Sequence, residues 1–259
     1  MTPSNPALPG EGPEIEGAAF QIVVLEQGDG PTQFAGIVLD HKGTPLPGVR
    51  LSIGRTNLIV TSDADGRFLF ESEVPPGKLD LFVDGRGVTT ASGQEYPALH
   101  FEAVAIRGQR NVLPHAIYLP PLLMSEAKVV GGDEDVTLRV PGFAGFEMVV
   151  KANSVTFPDG SRIGPLVVSP VDLDKLPMVP PGGAATFMAP AWTIQPSGTR
   201  FDPPIEVRVP NSLGLRPGET REIYQWDHDL ATFVPMGRAT VTEDGAQLVS
   251  DPGSSASAR

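Results

Sequence analysis

The stretch TSDADGRFLF, residues 61–70, sets Asp63 and Asp65 one residue apart just ahead of Gly66. That spacing fits part of a calcium loop, in which oxygen ligands occupy positions 1, 3 and 5, glycine position 6 and a bidentate glutamate position 12. With Gly66 at position 6, Thr61 falls at 1, Leu69 at 9 and Ser72 at 12. The closing glutamate is missing, so a hard divalent ion would keep most of its water. The competing reading is a tight turn. Asp-Gly between NLIVTS and RFLFES, runs rich in β-branched and aromatic residues, is hairpin chemistry that asks for φ > 0 at the glycine. The hairpin is the stronger reading, and a calcium ion beside Asp63 and Asp65 stays open.

Other chemistry-bearing types are scattered. Histidines stand at 41, 100, 115 and 228, never at the His-x-x-x-His or Glu-x-x-His spacing that puts two ligands on one element. His41 in DHKG and His228 in WDHDL read as turn residues, and His100 and His115 border strands. The serines of GSR (160–162) and SGT (197–199) lack a nucleophile elbow. The glycine pairs GDG at 28 and GRG at 85 lack the third glycine and the strand-to-helix setting of a phosphate loop. Asp133, Glu134 and Asp135 follow Gly-Gly and read as a solvated turn. No catalytic, cofactor-binding or metal-ligating residue is assigned. Trp192 and Trp226 read as core, although Tyr224 and Trp226, two apart, would share a face and offer a sugar-stacking platform if exposed.

The elements that must position these residues are strands. Of 259 residues, 29 are Gly and 28 Pro, which leaves little room for long helices because proline costs about 3 kcal/mol inside one. There is no cysteine, excluding disulfides and thiolate chemistry. A net charge of −12 with no basic cluster argues against nucleic acid and anionic membranes. The N-terminus has no signal-peptide pattern, and no 18-residue apolar run spans a bilayer. A soluble chain is expected, with any export signal removed, lying elsewhere in a longer polypeptide, or non-existent.

Residues 1–17, rich in Pro, Gly and Glu, read as a disordered arm, and 252–259 as a flexible tail. Strand-like runs follow one another from AFQIVVLE through FAGIVLD, VRLSIG, NLIVTS, RFLFES, LDLFVD and LHFEAVAI to HAIYL. A second series runs from AKVV to AQLVS and includes AATFMA, ATFVP and ATVTE as separate strands. The prolines of YLPPLLM mark a short linker. The expected fold is all-β, two antiparallel β-sandwich domains in tandem over 18–120 and 121–251.

FAGIVLDHKGTPLPGVRLSIG and TSDADGRFLFESEVPPGKLDLFVDG, within 34–119, resemble the carboxypeptidase regulatory-like, or transthyretin-like, β-sandwich. That resemblance implies an accessory fold without peptidase activity. VKANSVTFPDG, LVVSPVDLDKLPMVPPG and WTIQPSGTRFDPPIEVRVPN resemble the ZU-type β-sandwich of ankyrins and netrin receptors. Some members of that family cut their own backbone at His-Phe-Ser or a similar site. Here His228 precedes Asp229, and Phe157 and Phe187 precede Pro158 and Met188, so self-cleavage is not carried over. The tandem order is similar to the β-rich segment ahead of the YD-repeat shell in bacterial Rhs and teneurin-like proteins.

These resemblances imply a non-enzymatic structural module of a larger secreted or surface bacterial protein. No cofactor is expected, and the partners would be neighbouring domains or another protein. A glycan- or protein-binding adhesion module is the alternative. Melting in millimolar calcium and in chelator addresses the first question, since a ligand selective for the folded state adds RT ln(1 + [L]/Kd) of stability. Superimposed curves are expected, and a calcium-dependent rise would reinstate the ion.

Overall fold

The computed structural model describes residues 28–88, 90, 93–140, 142–176, 191–227 and 232–254, without the side chains of 173, 226, 227 and 232. The expected strands AFQIVVLE and AATFMA, the arm 1–17 and His228 lie outside the described residues. So do residues 255–259 of the expected tail.

No α-helix occurs among the described residues. The first half holds β1 (Gln33–Asp40), β2 (Arg50–Ile53), β3 (Ile59–Thr61), β4 (Arg67–Phe70), β5 (Gly77–Asp84), β6 (Ala98–Ala105), β7 (Arg110–Val112) and β8 (Ile117–Leu119). One sheet runs β4-β1-β7 with β8 also on β1, and the other runs β3-β2-β5-β6. Alternation puts one face of each sheet into a shared core: in β5, Leu79, Leu81 and Val83 are buried while Lys78 and Asp80 face water. Phe34, Phe70, Leu46, Leu51 and Leu81 are fully buried there, each contributing about 2 kcal/mol. Most pairings are antiparallel, as expected. β1 departs from this by pairing in parallel with β7 and β8.

The second half holds β9 (Lys128–Val130), β10 (Val136–Arg139), β11 (Glu147–Val150), β12 (Val155–Thr156), β13 (Gly164–Val171), β14 (Ala191–Gln195), β15 (Arg200–Phe201), β16 (Glu206–Pro210), β17 (Thr220–Asp227), β18 (Thr232–Val241) and β19 (Gln247–Ser250). Short 3-10 turns cover Met124–Glu126 and Leu173–Lys175. A six-stranded sheet, β10-β11-β16-β19-β18-β17, accompanies a three-stranded β14-β13-β9 and a two-stranded β12-β15. Phe146, Met148, Leu166 and Ile205 anchor a core that shares no residue with the first.

ATFVP and ATVTE are one strand, β18, rather than two. Its register slips where Tyr224 faces Pro235 and Ile223 faces Gly237, leaving Met236 as the extra residue of a bulge. Proline is tolerated at such a bulge, and Gly237 has φ +130°. The folded chain also runs past 252: Ser254 is buried, and its Oγ accepts the Arg238 N–H at 2.9 Å.

TSDADG is not the hairpin expected. β3 pairs with β2 and β4 with β1, so the loop carries the chain from one sheet to the other. Gly66 does have positive φ, at +72°. A Cβ there would sit 2.4 Å from the carbonyl oxygen of Val38. Left-handed strain and a backbone clash therefore add, and Gly66→Ala is expected to destabilise by about 2 to 4 kcal/mol in urea unfolding. A cost below about 0.5 kcal/mol would contradict this packing.

Candidate functional site

Asp63 sits in a five-residue loop whose geometry repeats at Asp40. In DADGR the Gly66 N–H donates to the Asp63 carbonyl at 3.0 Å and the Asp63 N–H to the Arg67 carbonyl at 2.8 Å. In DHKGT, Gly43 to Asp40 and Asp40 to Thr44 repeat these bonds at 3.0 and 2.8 Å. Each aspartate then folds Oδ1 back over its own loop. Asp63 Oδ1 accepts the N–H groups of Asp65 (2.9 Å) and Arg67 (2.8 Å), and Asp40 Oδ1 those of Lys42 (2.7 Å) and Thr44 (2.8 Å). The Oδ1 atoms of both carboxylates thus act as backbone acceptors that close their own loops. Among the described residues, no group of three or more His, Asp or Glu side chains is placed to hold a metal.

Other acids are engaged the same way. Glu73 accepts the Thr32 N–H at 3.0 Å, Asp159 the Ser161 N–H at 2.9 Å, and Asp244 the Ala246 N–H at 3.0 Å. Asp135, from the acidic turn 133–135, takes the Lys151 ammonium and the Ala152 N–H, each at 2.9 Å. Hydrogen bonds to Thr32, Ser161, Thr242 and Lys151 hold Glu73, Asp159, Asp244 and Asp135, respectively, below the ordinary carboxylate range. Groups depressed in this way serve as structural anions at neutral pH.

The three described histidines do not converge. His115 is exposed. His100 Nδ1 lies 2.7 Å from Asp80 on the outer face of β5 and β6, with its ring 4.7 Å from that of Phe82. His41 lies at the junction of the two halves, 3.6 Å from Asp172. The turn serines are structural: Ser197 Oγ accepts from Gln195 at 3.0 Å, and Thr199 Oγ1 donates to the Pro196 carbonyl at 2.7 Å. GDG at 28–30 marks a backbone crossing, since a Cβ on Gly28 would meet the Gly108 carbonyl oxygen at 2.2 Å.

The aromatics divide. Trp192 packs on the second core, its ring 5.0 Å from that of Phe146. Tyr224 is half-buried on β17, the outermost strand of its sheet, and donates its hydroxyl to the Glu222 carboxylate, which raises the phenol's pKa. Phe143, 38% exposed, rims an open hollow of about 390 Å³ lined also by Glu126, Arg139 and Phe146. The sequence reading missed Phe143. Its loop, PGFAG, carries turn residues but no chemical motif.

No protein-family model matches the chain, and no curated protein matches it. Among solved structures, it is similar to a DUF4876 family protein from Bacteroides thetaiotaomicron, at 12% identity and a TM-score of 0.26, covering 63% of this chain and 48% of that one. It is also similar to a DUF3823 family protein from Parabacteroides merdae, at 9% identity and a TM-score of 0.24, covering 86% and 98%. The chain thus spans about half the length of the first of these, 48%. Superpositions this loose leave the reading of the site to its own residues. No helix among the described residues is long and apolar enough to cross a membrane.

The double-acceptor role makes a specific prediction. Asp63→Ala and Asp40→Ala should each cost about 1 kcal/mol, as loss of a side-chain cap does, whereas Asp63→Asn should be nearly neutral. Urea unfolding with and without calcium checks it. A calcium-dependent penalty in Asp63→Asn would restore a metal role.

Proposed function

We propose that the chain is a non-enzymatic structural module of a larger secreted or surface-attached bacterial protein, positioning or sealing the main body. The observation carrying this reading is the commitment of Asp40, Asp63 and Asp135 to backbone N–H groups in separate loops, which leaves them to architecture. The finer reading makes 18–120 a carboxypeptidase regulatory-like sandwich and 121–251 a ZU-like one, in the Rhs/YD-repeat setting. Its support is the interlocking of TPLPGV with TSDADG, the two phrases on which the first resemblance rests. The partners in this reading are neighbouring domains of the same polypeptide or another protein, without nucleic acid.

A second reading, an adhesion module for glycans or proteins, is favoured by Tyr224, half-exposed on an outermost strand. Self-cleavage is the third reading and has the least support. Incubated protein should keep its 27.4 kDa mass. An activity screen with esters, peptides and glycosides is expected to be blank, and turnover abolished by one substitution would overturn the structural reading. Specific glycan-array binding, lost in a folded Tyr224→Ala variant, would replace it with the adhesion reading.

A further inference from the structure

His41 belongs to the DHKGT loop of the first half, and its imidazole is largely buried beside Asp172 of the second. Its side chain keeps 10% of its exposure, and Nδ1 stands 3.6 Å from Oδ2 of Asp172, just before the Leu173–Lys175 turn. Nε2 is buried and has no hydrogen-bond partner among the described residues. Other polar contacts among the described residues also join the halves. The Lys175 ammonium lies 5.2 Å from the centroid of the Tyr118 ring, Gln94 Nε2 donates to the Leu122 carbonyl at 2.8 Å, and the Leu122 N–H donates to the Glu95 carbonyl at 2.9 Å.

We propose that His41 is an acid-sensitive latch, holding the two halves together while its ring is neutral and releasing them when it takes up a proton. The chemistry lies in the ring's second nitrogen. A neutral imidazole can turn its one N–H toward Asp172 and leave Nε2 as a bare lone pair. The imidazolium has two N–H donors. Protonation therefore creates a buried, charged donor at Nε2 with no acceptor, and such a group is far costlier than an unused lone pair.

The charged groups facing the ring come from both halves. Asp172, just before the Leu173–Lys175 turn, Asp174 within it and Asp40 from the ring's own loop favour the cation, and Lys175 opposes it. Asp172 is 60% exposed and beyond good hydrogen-bond range, so water screens it. Asp40 Oδ1 is committed to Lys42 and Thr44, and Asp174 to the Lys175 ammonium at 2.7 Å. Burial outweighs the acids and lowers the histidine's pKa below 6.5.

The sign follows from that direction. With the halves apart, His41 is solvated and titrates near 6.5; with them joined it titrates lower. The joined state is therefore favoured fully above 6.5, and the preference is lost as pH falls through the joined-state value.

Small-angle scattering of the full chain at about pH 7.5 and about pH 5.5 tests this, spanning the ordinary histidine range. The radius of gyration should rise at the lower pH in the natural protein and stay at its neutral value in His41→Gln. Asp172→Asn removes the largest charge favouring the cation, so it should open at a higher pH than the natural chain. That variant keeps the test decisive if His41→Gln fails to fold. An unchanged or smaller radius at low pH, equal opening in His41→Gln, or loss of acid opening in Asp172→Asn would each overturn the latch.

Discussion

The backbone of Val38 is the point through which the first half is tied. Its N–H donates to the Gly66 carbonyl at 2.8 Å, and its carbonyl accepts the Leu46 N–H at 3.1 Å. One residue in the middle of β1 thus holds both the TPLPGV turn and the TSDADG crossing. Buried Ser62 completes the knot. Its N–H donates to Val49 and its carbonyl accepts from Gly48, while its Oγ donates to the Leu46 carbonyl at 2.6 Å and accepts the Val49 N–H at 2.9 Å. Chain leaving one sheet for the other would strand these groups, and burying them unpaired would cost about 1 to 3 kcal/mol each. The knot lets β3 and β4, neighbours in sequence, join opposite sheets.

Glycine at 66 follows from the same constraint. The loop must turn left-handed where it presses on the Val38 carbonyl, and no side chain fits there. Asp63 then stabilises the loop that Gly66 permits, by taking two N–H groups that face water without strand partners. The same solution at Asp40–Thr44 brings His41 within 3.6 Å of Asp172, so a loop that is repeated for its stability also places a histidine at the junction of the halves.

Much of the fold was legible because it rests on local patterns. Alternation in LDLFVD and FEMVV marked β5 and β11, and Asp-Gly marked the positive φ at Gly66. What escaped depends on contacts distant in sequence. Nothing within NLIVTSDADGRFLF says that its two strands part company, because the bonds deciding it come from Val38 and Val49. RNV at 110–112 is too short to show alternation and becomes β7 through parallel pairing with β1. MGR looked like a break between strands because a bulge and a turn draw on the same residues, and Ser254, which supports that bulge, lies at the far end of the chain. The candidate site was legible only in part. Turn chemistry at Asp40 and Asp63 could be read locally, whereas the pairing of His41 with Asp172 joins residues more than a hundred positions apart.

A chain with 31 acidic and 19 basic residues has many carboxylates to place, and the two uses open to them compete. A carboxylate that is to bind a cation or move a proton must keep oxygen lone pairs free and converge with others. One that closes a loop turns an oxygen toward backbone N–H groups, and its neighbours do the same separately along the chain. Asp40, Asp63, Asp135, Asp159 and Asp244 each follow the second course in a different loop. Among the described residues, short strands leave many such loops and no α-helix satisfies N–H groups internally, so the anions are drawn to the turns. The excess negative charge is thereby spread over the surface as turn chemistry, and the exceptional group is the neutral imidazole enclosed where two such loop-rich halves meet.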